Sequence, residues 1–169
     1  MMTRTAVAAI PGRGLSLPAA PGVDLSAVSE VLSTQITPRI SETNMAGHIS
    51  NTVLPVWFEA GRAAIYAMFR DCADFDSSPL VIKTFTVTFH RELELSGEVT
   101  IECAVTRVGR TSFALTERAV QDGRVCATGD VVYVVVGAEG PVAVPDSIRE
   151  QLNAHQVSDS IREHGLGSR

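Results

Sequence analysis

One stretch limits the fold more than any other: NTVLPVWFEAGRAAIYAMFR, residues 51–70. Read at 3.6 residues per turn, its apolar side chains reach nearly the whole way round the helix. They include Val53, Leu54, Val56, Trp57, Phe58, Ala60, Ala63, Ala64, Ile65, Ala67 and Met68. A helix that is apolar all round must be buried on most sides, so the rest of the chain has to wrap around it. Asn51 or Thr52 can cap its start, and Pro55 is tolerated because it falls in the first turn.

The wrapping material is β-rich. A β-like run, VLSTQITPRI (31–40), precedes the helix, and four segments follow it. LVIKTFTVTFHREL (80–93) alternates, with Val81, Lys83, Phe85, Val87 and Phe89 on one face and Thr84, Thr86, Thr88 and His90 on the other. GEVTIECAVTRV (97–108) sets Val99, Ile101, Cys103 and Val105 opposite Thr100, Glu102 and Thr106. TSFALTERAVQ (111–121) and RVCATGDVVYVVV (124–136) complete the run, joined by turns at Gly109-Arg110 and Asp122-Gly123. PDSIREQLNAH (145–155) reads as a short terminal helix. One strand, one helix and then four consecutive strands is an α+β pattern, an antiparallel sheet curled around a single helix.

A length of 169 residues suits one domain. Residues 1–28, rich in Ala, Pro and Gly, read as an arm, 29–155 as the domain and 156–169 as a polar tail. The apolar AVAAI after Arg4 is too short for a signal peptide and is interrupted at Pro11 and Gly12. The net charge of -5, without any Lys/Arg cluster, argues against nucleic-acid and membrane-surface partners. Cys72, Cys103 and Cys126 are odd in number and far apart, which fits neither a disulfide framework nor a redox pair, so a cytoplasmic location is expected. The four histidines (48, 90, 155, 164) lack metal-ligand spacing, and neither a metal nor a cofactor is expected.

Chemistry is concentrated in the loop SETNMAGHIS (41–50), which runs directly into the apolar helix. A helix N-terminus carries unpaired N–H groups and partial positive charge, and in a buried cleft it can hold a developing oxyanion. Gly47 permits close approach, while Asn44, His48 and Asn51 put polar groups around one point in apolar surroundings. The same residues also suit a plain capping loop.

The run ETNMAGHISN, followed by VWFEAGR, resembles the hotdog acyl-CoA and acyl-carrier-protein thioesterases of the 4-hydroxybenzoyl-CoA thioesterase-like group. Their pattern is Asp-x-x-Gly-His-(Val/Ile)-Asn-Asn, then an aromatic pair and Glu-x-x-Arg. The resemblance continues through FHRELELSGEVTIECAVTRVGRTSF to VPDSIREQL, about residues 31–153. It implies a hotdog fold, an antiparallel sheet of about five strands around one long central helix. It also implies a homodimer or homotetramer with each site near a subunit boundary, and hydrolysis of an acyl-CoA or acyl-carrier-protein thioester without a cofactor.

Carried over by position, Gly47, His48, Asn51, Glu59 and Arg62 match the pattern, Ser50 replaces the first Asn of the pair, and Asn44 stands where the catalytic Asp belongs. A neutral amide can neither attack the thioester nor take a proton, although it can hold water or donate to the thioester oxygen. The candidate catalytic residues are therefore Asn44, His48, Asn51 and Glu59. Glu59 is either the missing base or the salt-bridge partner of Arg62 at i+3. Gly47, Trp57, Phe58 and Arg110 are the candidate substrate-binding residues, with Arg91 and Arg107 as further cations near strand ends. The alternatives are a non-catalytic acyl-thioester binder and a hotdog dehydratase or hydratase.

Overall fold

The computed structural model describes residues 31–72 and 80–157. The expected arm (1–28) and the tail beyond 157 lie outside the described residues. Gln156 and Val157, assigned to that tail from sequence, belong to the fold: Val157 is buried and its N–H donates to the Val105 carbonyl at 2.9 Å.

Five strands form the main sheet: β1 (Leu32–Ile36), β2 (Leu80–Phe89), β3 (Val99–Val108), β4 (Ser112–Gln121) and β5 (Arg124–Gly137). They lie in the order β1-β3-β4-β5-β2, every pairing is antiparallel, and a two-residue β6 (Gly140–Pro141) pairs with the end of β5. The β4–β5 hairpin turns on Asp122 and Gly123 with φ of 51° and 71°. That double left-handed conformation matches the right-handed twist of the strands it joins.

The strands curl because one face is apolar. Val99, Ile101, Cys103 and Val105 of β3 are buried, as are Phe113, Leu115 and Ala119 of β4 and Val131, Tyr133 and Val135 of β5. The opposite face carries Thr116 bonded to Asp130 and Arg118 paired with Glu102. On β2 the expected alternation fails at its start. A register shift between Ile82 and Thr84 takes Val81 off the face of Phe85 and Val87 and leaves it 44% exposed. An extra residue in one strand reverses the inward face.

The helix expected over 51–70 is shorter and broken. It comprises α1 (Leu54–Gly61) and α2 (Ala63–Arg70), separated at Arg62, whose ψ of 1° leaves the helical range. Two causes meet there. Gly61, without a Cβ, lies against Ile101 so closely that a side chain would collide with it, and the Arg62 side chain is drawn into the sheet by Glu117. The cap is Val53, with no side-chain cap bond, rather than Asn51 or Thr52. The helix is also not covered on every side within the chain: Val56, Glu59, Ala60, Ala63 and Ala64 are exposed. Leu54, Trp57, Phe58, Ile65 and Phe69 face inward. A last helix, α3 (Asp146–Ala154), closes the end of the core with Ile148 and Leu152.

A cleft at the start of the central helix

The loop between β1 and α1 is shaped by Asn44. Its Oδ1 accepts hydrogen bonds from the N–H groups of Ala46 (2.9 Å) and His48 (3.2 Å), and its own N–H donates to the His48 carbonyl (2.7 Å). Gly47 completes the tight return with φ of 88°, a conformation glycine adopts at little cost. The N–H of Ile49 then donates to the Leu93 carbonyl at 2.8 Å, and His48 bridges to Glu94 in antiparallel fashion. The chain leaving β2 is thereby laced to the loop. Gln121 fixes that chain from behind, its Nε2 donating to the carbonyls of Glu94 and Ser96 while its Oε1 accepts from the Glu94 N–H.

Between these two segments opens a cleft of about 560 Å³, within the usual range for small-molecule sites. Asn44, His48, Ser50, Asn51 and Leu54 line one wall, and Phe89, His90, Arg91, Glu92 and Leu93 line the other. His48 is partly buried, with Nδ1 3.2 Å from Glu92 Oε1 and Nε2 3.8 Å from Glu94 Oε1. One ligand atom from each of these three residues lies within 4.8 Å of the others, a grouping that histidine spacing alone did not reveal. Both glutamates are exposed.

Three sequence candidates, Asn44, His48 and Asn51, thus meet in one cleft, with Gly47 in the loop that shapes it. The others do not join them. Trp57 faces a second cleft of about 470 Å³ beside Ile36 and Arg39, and its indole N–H donates to Glu42 at 3.2 Å. Phe58 is fully buried in the core, edge-on to Phe85. Glu59 lies on the exposed helix face and does not pair with Arg62, because Arg62 points the other way. Arg110 sits in the β3–β4 turn, and β3 separates it from the cleft by about 30 Å of strand.

Arg62 instead enters a buried polar network that the sequence reading missed. Its Nε and Nη2 donate to the two Glu117 oxygens at 2.8 and 2.6 Å, and its Nη1 donates to the Tyr133 hydroxyl at 3.1 Å. The Tyr133 hydroxyl is 2.6 Å from that of Tyr66. Burial pushes the Glu117 carboxyl up to about 7, more than the Arg62 hydrogen bond and charge pull it down. For Arg62 burial works downward, but its Glu117 bond and charge carry it above its ordinary value. The Cys103 thiol, raised first by burial and then by the Glu117 charge, is held inert. Glu117 was detectable in sequence as the one charge in the alternation Phe113, Leu115, Glu117, Ala119.

Comparison with known proteins bears on residues 38–152, which match the family model of the thioesterase-like superfamily. A predicted thioesterase from Bacillus stearothermophilus is 38% identical, with a TM-score of 0.70 over 76% of this chain and 98% of that one. A thioesterase from Thermus thermophilus, crystallised with coenzyme A and Zn, shares the fold at 24% identity, with a TM-score of 0.65 over 75% of this chain and 94% of that one. The uncharacterized protein YsmA of Bacillus subtilis (strain 168) is 27% identical over 111 residues, 65% of this chain and 76% of its own length.

Proposed function

The chain belongs to the thioesterase-like superfamily, whose reaction is thioester hydrolysis, and from that membership we propose that it cleaves an acyl-CoA or acyl-carrier-protein thioester in the cleft before α1. The observation carrying this reading is the meeting of Asn44, His48 and Asn51 at the start of an otherwise apolar helix, with Glu92 behind His48. The Thermus thioesterase was crystallised with coenzyme A, which supports CoA as the leaving group.

In this reading Glu92 holds the His48 ring through Nδ1–H and leaves Nε2 as the base. Water between His48 Nε2 and the Asn44 side-chain amide attacks the carbonyl carbon and gives its proton to His48. The carbonyl oxygen, becoming an oxyanion, faces the positive end of α1 and the Asn51 N–H. The C–S bond then breaks, His48 returns the proton to the thiolate, and a carboxylic acid and a free thiol depart.

A homodimer or homotetramer fits the surface. β2 is a ten-residue edge strand with Val81, Ile82 and Phe89 each more than 40% exposed, and α1 offers Val56 and Ala60 uncovered. A monomer by sedimentation at micromolar concentration would overturn that assignment. The three cysteines are free thiols, which agrees with a cytoplasmic location; disulfide-linked material isolated from cells would argue against it. No helix among the described residues is long and apolar enough to cross a membrane.

Free-thiol release from a panel of acyl-CoAs tests the reaction. His48→Ala and Asn44→Ala are expected to lower turnover sharply, while a fall confined to Glu59→Gln would transfer the base from His48 to the helix. The second reading, a non-catalytic acyl-thioester binder, is favoured by one observation: Asn44 Oδ1 already accepts from two backbone N–H groups. Tight acyl-CoA binding without turnover on CoA or carrier-protein thioesters would establish it.

A further inference from the structure

The apolar wall of the cleft continues inward along one helix and one strand toward a single buried ring. Leu54 forms part of the cleft wall, and one helical turn further in, about 6 Å along the axis, stands Phe58, fully buried. On the strand side the same course runs from Phe89 in the wall past Val87 to Phe85. The two lines converge where Phe58 and Phe85 meet edge to face, with ring centres 6.2 Å apart.

The ring at 58 has nowhere to retreat. Gly129, opposite both Val87 and Glu117 in the sheet, lies directly beneath it. A Cβ placed on Gly129 would be 3.3 Å from the Phe58 ring and 3.2 Å from Glu117 Oε2, so the glycine is already filled over by these groups. One turn beyond, the Arg62 guanidinium lies over the Phe85 ring, 4.6 Å from its centre, and is tied to Glu117. A methyl group pushed past Phe58 would therefore meet a buried charge pair whose separation would leave each charge without its opposite.

The geometry points to Phe58, braced by Phe85 and seated over Gly129, as the residue that sets acyl-chain length, restricting the cleft to short chains of about four to six carbons within one helical turn. The inference rests on the hydrolase reading of the cleft for its carbonyl position, but not on turnover for its test. A chain longer than the turn must displace a buried aromatic ring, and the cost falls on binding of the chain rather than on the groups at the carbonyl.

Two length series separate this inference from the reading it extends. Thiol release from straight-chain acyl-CoAs of two to sixteen carbons reads hydrolysis, and calorimetric titration with S-alkyl-CoA thioethers of the same lengths reads the chain site alone. Wild type is expected to bind and turn over best at about four to six carbons and to fall at least tenfold by ten. Phe58→Ala is expected to move the optimum at least two carbons longer, mainly through KM and thioether affinity, and Phe58→Leu, which keeps more of the core, to move it less in the same direction. A wild-type optimum at ten carbons or more overturns the inference, as does an equal change at all lengths in the Phe58 variants or no thioether binding at any length. Thioether binding with the expected length profile, but no thiol release, upholds the ruler and overturns the hydrolase.

Discussion

Arg62 grips Glu117 through two parallel hydrogen bonds, Nε to Oε1 at 2.8 Å and Nη2 to Oε2 at 2.6 Å, across the contact between helix and sheet. Neither side chain is more than 1% exposed. Bidentate geometry makes such a pair strong, but both ions have been withdrawn from water, so much of the attraction offsets desolvation. Removing Glu117 leaves the Arg62 charge buried without its counter-charge, with only the Tyr133 hydroxyl and the neighbouring rings against it. Glu117→Ala is therefore expected to lose about 3–5 kcal/mol in urea unfolding, and the double variant Arg62→Met/Glu117→Leu far less than the sum of the two single losses. Additive losses would mean that the pair does not act as a unit.

The same burial gives the fold a pH dependence. With Glu117 raised to about 7 from an ordinary 4.5, the folded protein holds this proton more tightly than the unfolded chain does. Its contribution to stability is complete below 4.5 and is lost as the pH rises through about 7. Unfolding midpoints at pH 5, 6, 7 and 8 for wild type and Glu117→Gln should show the advantage of wild type shrinking across that window. A constant difference would mean that the carboxyl is already ionised at pH 5.

Asn44 divides its two ends between structure and chemistry. Its Oδ1 holds Ala46 and His48, leaving the Nδ2 donor for water or the thioester oxygen. Asn44→Asp keeps an acceptor for both backbone N–H groups and should fold as well as wild type by thermal melting, yet it replaces the donor by a charge. In a hydrolase built on the amide, thiol release should gain little or fall, whereas Asn44→Ala should lose about tenfold or more. A large gain with Asp would mark the chain as a binder that has lost its carboxylate.

Much of this was legible because strand periodicity and turn chemistry are local. The inward faces of β3 and β4 follow from alternation, and Asp122-Gly123 announces its hairpin. The resemblance identified the loop from Asn44 to Asn51, and the structure brings its polar residues to one cleft. What periodicity could not give was the direction of the helix faces. A helix apolar all round conceals which stripe meets the sheet, so it could not say that Trp57 faces a cleft beside Ile36 and Arg39 while Phe58 is buried against Phe85. For Arg62 the sequence offers only Glu59, one turn away, because Glu117 lies 55 residues on and only the fold brings it within reach. Glu92 and Glu94 were hidden for the same reason, since their meeting with His48 depends on how two loops are laced together.

Gly61 offers a case in which two local rules oppose each other. Helix propensity alone favours alanine there by about 1 kcal/mol. The site forbids it: an added Cβ would collide with Ile101 Cγ2 and lie 3.3 Å from Ile101 Cβ, on a side chain that is itself fully buried. A β-branched residue has few rotamers into which to withdraw, so overpacking should prevail and Gly61→Ala should destabilise the protein by about 1–3 kcal/mol in urea unfolding. The cause is separable in a double-mutant cycle. Ile101→Ala alone leaves a cavity and costs about 2–5 kcal/mol, but it also removes the obstructing methyl. Added to Ile101→Ala, Gly61→Ala should therefore cost nothing further or recover some stability. If its penalty is undiminished in that background, the contact with Ile101 is not what excludes a side chain at position 61, and the break between α1 and α2 rests on Arg62 alone.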